Sequence, residues 1–112
     1  MEANLAVEAL AALAQESRLA IFRLLVQAGQ AGLAAGALGD RLGIPPATLS
    51  FHLKTLFRAG LVQSRSEGRY VIFTANYAEM NSLLAYLTEH CCAGDAAQCV
   101  PVGKCETVKG NL

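Results

Sequence analysis

Apolar positions along the chain fall into runs whose spacing changes several times, and each change marks an element boundary. Ala6, Leu10 and Leu13 recur at helical spacing and predict a short first helix. Ser17 suits the N-cap of a second, in which Leu19, Ile21, Phe22, Leu24, Leu25 and Val26 cover more than one face, as in a helix buried at the centre of a domain. Gly29, Gly32 and Gly36 punctuate the loop that follows; Leu38 and Leu42 then lie four apart on a third helix, which Gly43 ends. From Pro46 the apolar stripe Leu49, Leu53, Leu56, Phe57 runs at i, i+4, i+7 and i+8, then stops at Ala59-Gly60, where a glycine suits a left-handed cap. Two short helices joined across Gly43-Ile44-Pro45 make a helix-turn-helix.

Past the cap, Leu61 to Arg65 and Arg69 to Thr74 are rich in β-branched and aromatic residues, with Ser66-Glu67-Gly68 between them. This predicts a β-hairpin with Gly68 at positive φ. A helix-turn-helix followed at once by such a hairpin is a winged helix. Tyr77, Met80, Leu84, Leu87 and Cys91 then space at 3, 4, 3 and 4, the seam of a last helix that pairs with its symmetry mate and carries Cys91-Cys92 at its end. Beyond Cys92 the periodicity is lost. The expected architecture is mainly α with a small β-hairpin: a winged helix-turn-helix in residues 1–92, followed by a cysteine-containing tail, 93–112, ordered by whatever its thiols bind.

Length and composition narrow the picture. At 112 residues the chain supports one domain with a modest core, so a dimer is expected. The apolar fraction is 54%, yet no run approaches the roughly 20 apolar residues of a membrane span. The expectation is a soluble cytoplasmic protein without a membrane partner, in which thiols stay reduced and serve metal binding or redox chemistry. The zero net charge hides an asymmetry. Between residues 41 and 70, Arg41, Lys54, Arg58, Arg65 and Arg69 stand against Glu67 alone, leaving +4, while each flank stands at −2. The positive block coincides with the helix-turn-helix and hairpin, where phosphate contacts require it.

On the second helix of that motif, the positions away from the apolar stripe are Thr48, Ser50, Phe51, His52 and Lys54. Hydroxyls and imidazole bond base edges or phosphates, Lys54 neutralises phosphate, and Phe51 packs on a thymine methyl. Arg65 and Arg69 flank the hairpin tip, which a winged helix lays along the DNA backbone or minor groove. An enzyme is not expected: the only histidines, His52 and His90, lie near no triad or Gly-rich phosphate loop.

With these residues in place the chain resembles the ArsR/SmtB family of metal- and metalloid-responsive repressors. The resemblance covers about residues 5 to 92. It rests on Ser17-Arg18-Leu19 with Leu24-Leu25, on Thr48-Leu49-Ser50-Phe51-His52-Leu53, on Leu56 with Ala59-Gly60-Leu61-Val62, and on the wing Arg65 to Tyr70. It implies a homodimer built on the first and last helices, here with Leu10, Tyr77, Met80, Leu84 and Leu87 in the interface. It also implies an inverted-repeat operator in double-stranded DNA, released by an inducer ion. Pro45 stands where the family commonly has a Ser or Thr cap.

Family members place inducer sites differently, so the residues must locate this one. No thiols lie near Leu38 to Leu42, and Glu79, Glu89 and His90 lack the Asp-x-His pairing of zinc-binding relatives. All four cysteines, Cys91, Cys92, Cys99 and Cys105, fall in the last 22 positions. Soft thiolates select soft ions. Trivalent arsenic, antimony or an organoarsenical held by Cys91, Cys92 and Cys99 is the expected inducer. Cys105 is a substitute third ligand, a fourth sulfur for zinc, cadmium or lead, or a spare. A thiol redox switch, a small arsenic carrier and a constitutive DNA-binding module remain as alternatives.

Overall fold

Two helices open the chain, α1 (Ala3–Leu13) and α2 (Glu16–Ala28), in a computed structural model that describes residues 1–94. The core-facing side of α1 carries Ala6, Ala9 and Ala12, all buried, whereas Leu5, Val7 and Leu10 are exposed. Leu10, expected in the dimer interface, thus stands on the outer side of α1. Methyl groups let α1 approach its neighbours closely; of its larger side chains only Leu13, at its end, packs partly on the core. The cap of α2 is also displaced from the expected Ser17: Gln15 accepts a hydrogen bond from the Arg18 backbone N–H at 2.9 Å. The helix thus starts one residue before that serine. Ile21, Phe22 and Leu25 are buried at the centre, as their all-round apolar pattern predicts.

A 3-10 turn at Gly29–Ala31 leads into β1 (Leu33–Ala34), a two-residue strand absent from the sequence reading. Helix α3 (Ala35–Leu42) follows directly, so Gly36 is helical and not part of a loop. It ends at Gly43, whose φ of 67° is left-handed. Helix α4 (Pro46–Arg58) starts with proline in its first turn, where the missing N–H costs nothing. At its other end the Leu61 N–H donates to the Leu56 carbonyl and the Gly60 N–H to that of Phe57, with Gly60 at φ 81°. This Schellman arrangement also brings buried Leu56 and Leu61 together.

Strands β2 (Val62–Glu67) and β3 (Tyr70–Ala75) pair antiparallel, from Val62 opposite Ala75 to Glu67 opposite Tyr70. Only Gly68 and Arg69 connect them, a tighter turn than the expected Ser66-Glu67-Gly68; Gly68 supplies positive φ at 61°. Strand β1 adds to the other edge of β3 through Leu33 opposite Phe73 and Ala34 opposite Ile72, so the hairpin is part of a three-stranded antiparallel sheet in the order β1-β3-β2. Gly32 precedes that edge at φ 67°. A Cβ there would collide with the Phe73 carbonyl oxygen and with the Ile72 and Thr74 side chains.

Asn76 turns the chain from sheet to helix, capping α5 (Tyr77–Leu87) by accepting from the Glu79 N–H while its own amide donates to the Gly60 carbonyl. The helix ends at Leu87, before either cysteine. Thr88 bonds back to the Leu84 carbonyl at 2.8 Å, and His90 takes φ 60°. Cys91 and Cys92 lie in a short turn, Cys91–Gly94, with Cys92 itself at φ 57°. The seam expected to run to Cys91 is therefore one turn shorter, because Thr88-Glu89-His90 offers no apolar contact to carry it on. Among the described residues no helix is long and apolar enough to cross a membrane.

Candidate nucleic-acid interface

Helix α4 divides cleanly into two faces. Leu49, Leu53 and Leu56 are buried against the domain, while Thr48, Ser50, Phe51 and Lys54 are exposed. Phe51 is 62% exposed, so its ring is open to whatever approaches this face. The fold thus presents four of the five expected reading residues together.

The fifth, His52, points the other way. It is only 8% exposed, and its Nδ1 accepts from the Arg18 guanidinium at 3.4 Å. Arg18 in turn donates from Nε to the Ala12 carbonyl at 2.7 Å, joining the end of α1 and the start of α2 to the middle of α4. Periodicity places residue 52 beside Leu49, Leu53 and Leu56, within the edge of the buried stripe. The expectation that His52 reads bases is corrected on that ground.

The wing also divides its cations. Arg69 occupies the exposed turn. Arg65, expected on the DNA backbone, instead donates to Glu67 Oε2 at 2.8 Å, to the Gln30 carbonyl at 2.9 Å and to the Ala31 carbonyl at 3.1 Å. Its guanidinium is engaged with the protein itself.

Between α3, α4 and the base of the wing lies an open cleft of about 490 Å³, which sequence reasoning missed. Ser50 and Lys54, both exposed, stand in its lining together with Ser64 and Phe73 of the sheet. Its only sequence signal is the pair Gly36 and Gly39, which leave one flank of α3 without side chains.

The thiol cluster is only partly placed. Cys91 and Cys92 are both half-buried beyond α5; Cys99 and Cys105 lie outside the described residues, as does most of the expected tail. Among the described residues no three metal-ligating side chains converge. The interface residues expected on α5 have separate fates. Tyr77 donates its hydroxyl to the Val26 carbonyl at 2.8 Å, within its own subunit, whereas Leu87 is exposed. Met80 and Leu84 line an apolar groove of about 420 Å³ with Leu13, Leu19, Phe22 and Val26.

A three-stranded sheet with a two-residue wing turn, set against a helix-turn-helix whose second helix exposes one face, defines a winged helix-turn-helix domain. Residues 13–65 match the helix-turn-helix domain family. The chain is 37% identical over 82 residues to the transcriptional activator HlyU of Vibrio cholerae, covering 73% of each chain. It is 45% identical over 58 residues to the uncharacterized HTH-type transcriptional regulator YceK of Bacillus subtilis; this match takes in 52% of the chain and spans 57% of that relative's length. Among solved structures, an ArsR-like transcriptional regulator from Rhodococcus sp. RHA1 superposes with a TM-score of 0.68 at 31% identity, covering 75% of this chain and 76% of the other. A homodimeric winged helix-turn-helix DNA-binding domain from Mycobacterium bovis, described as a possible ArsR-family regulator, gives 0.62 at 28% identity over 78% and 81% of the two chains. The chain belongs to the ArsR family of winged-helix transcriptional regulators.

Proposed function

We propose that the protein is an arsenite-responsive repressor, which binds an inverted-repeat operator as a homodimer and leaves it when trivalent arsenic is captured by its C-terminal thiolates. The observation that carries the DNA-reading part is the exposed face of α4, where Thr48, Ser50, Phe51 and Lys54 stand together above a buried leucine stripe. Inserted in the major groove, such a face offers hydroxyls to base edges, a ring to a thymine methyl and a cation to phosphate. Arg69 at the wing turn adds a second cation. The dimer is supported by the uncovered apolar side chains of α1 and α5 and by the homodimeric state of the M. bovis relative.

The arsenic part rests on the donor set. Cys91 and Cys92 are adjacent, half-buried and placed just past α5, which puts two thiol-bearing residues at the end of a helix expected in the dimer contact. Trivalent arsenic favours three such ligands, with Cys99 or Cys105 as the third; an organoarsenical needs two, and antimony shares the preference. In a reducing cytoplasm the thiols stay unoxidised, and capture of the ion displaces their protons. Capture would tie the tail to the end of α5 and change how the subunits pack, and a small rotation spoils both half-site contacts together. By linkage the inducer weakens operator binding only as far as the operator weakens inducer binding, by about 1–3 kcal/mol in typical cases.

The test is fluorescence anisotropy of the reduced protein on labelled DNA from upstream of its own gene, titrated in parallel with arsenite, zinc and a mild oxidant. Release by arsenite in the wild type, with operator binding intact and release lost in Cys92→Ser, is the expected result. Release by oxidant alone would replace the metalloid sensor with a thiol redox switch.

A further inference from the structure

We infer that Arg65 is a positioning residue for the wing and not one of its phosphate contacts: it fastens the hairpin to the body of the domain and thereby sets where Arg69 meets DNA. The inference rests on the DNA-reading assignment of the wing. Its foundation is the register of the sheet. Strand β1 is only two residues long and supports β3 at Phe73 and Ile72. Arg65 sits in β2 directly opposite Ile72, so it marks the last rung at which the hairpin has a third strand behind it. Beyond that rung, the pairs Ser66 with Val71 and Glu67 with Tyr70 and the Gly68–Arg69 turn form an arm of two strands only, and every residue in it is exposed. A bare two-stranded ribbon is marginal in water, and its angle to the domain is poorly determined by its own bonds.

The guanidinium supplies what the sheet lacks. From its place on β2 it reaches the 3-10 turn before β1, donating NH1 to the Gln30 carbonyl and NH2 to that of Ala31. Its third donor, Nε, goes to Glu67, two residues along the same strand and therefore on the same face of the arm. One planar group thus joins three points: the fulcrum of the hairpin, the base of the arm and the corner that starts the third strand. The fork geometry is needed, because a lysine ammonium is a single point charge and cannot hold both carbonyls and the carboxylate in one plane. Three of its five N–H groups, one on each nitrogen, already hold protein acceptors, so a phosphate would have to compete with the bonds that fix the group to the domain.

The experiment compares wild type, Arg65→Ala, Arg65→Lys, Arg69→Ala and the 65/69 double alanine variant. Anisotropy is read on the same labelled upstream duplex across a series of salt concentrations, and amide hydrogen exchange is read without DNA. In exchange, Arg65→Ala and Arg65→Lys should both lose protection at residues 66–71 while Arg69→Ala keeps it. In binding, Arg69→Ala should weaken the complex several-fold and lower the salt slope by about one. Arg65→Ala should produce the same loss and the same slope change, and the double variant should be no worse than either single one. Losses that multiply, each with its own fall in slope, would put Arg65 on a phosphate and overturn the inference. So would unchanged exchange and affinity in Arg65→Ala, full rescue by lysine, or an Arg69→Ala protein that binds as the wild type does. If the wild type failed to bind the duplex, the DNA-reading assignment would fall, and the exchange data would still decide whether Arg65 fastens the arm.

Discussion

Phe51 and His52 are neighbours on α4, yet the helix sends them to opposite environments, and their rings meet edge to face at 5.7 Å as they part. The consequence is a contrast between two substitutions. His52→Ala removes the acceptor of a part-buried arginine and should cost about 1–2 kcal/mol of stability. It should also leave base preference unchanged at every operator position. Phe51→Ala should behave in the reverse way, with an unchanged melting temperature and a lost preference for thymine at one position per half-site. A binding-site selection on both variants, beside thermal unfolding, separates the two roles. The distinction was within reach of the sequence, since residue 52 falls at i+3 from Leu49. The Arg18 partner, 34 positions away, was not.

At the scale of elements, the helices were legible because their periods and stops are local. Gly43 and Gly60 end α3 and α4 by adopting left-handed backbone, which costs glycine less than residues with a Cβ. The third strand was illegible. Leu33 and Ala34 have no alternation to announce a strand, and they are extended only because β3 offers an open edge at Ile72 and Phe73. The clearest demand of that pairing falls on Gly32, against which β3 packs directly. Gly32→Ala combines a positive φ with a backbone collision and should destabilise the domain by about 1–3 kcal/mol or more. Urea unfolding would register this as a lowered midpoint at constant slope. An unchanged midpoint would mean that β1 contributes little to holding the sheet.

For the whole molecule, the arrangement of apolar surface matters more than its amount. The alanine face of α1 lies inside, so Val7 and Leu10 remain outside; Leu87 of α5 is exposed as well, and exposed Leu19 lines the groove between α2 and α5. A domain of this size gains stability by covering such a surface with a second copy. Replacing both Val7 and Leu10 with glutamate should convert a dimer to a monomer in sedimentation, and should abolish the concentration dependence of the melting temperature. Operator affinity should fall by at least about two orders of magnitude, because two half-sites would no longer be read as one. A variant pair that stayed dimeric would move the interface away from α1.

The order of helices, the helix-turn-helix, the hairpin and the positive segment that contains them followed from the sequence by itself, since each depends on spacing, caps and turn residues close together in the chain. The gathering of all four cysteines at one end was equally plain there. Only the tertiary structure decided which partners these side chains meet, because that depends on what the fold packs beside them: Arg18 bonds His52, the Gln30 and Ala31 carbonyls hold Arg65 to the domain, and Val26 takes up Tyr77. These partners lie between 34 and 51 residues apart in sequence, too far for any local pattern to register.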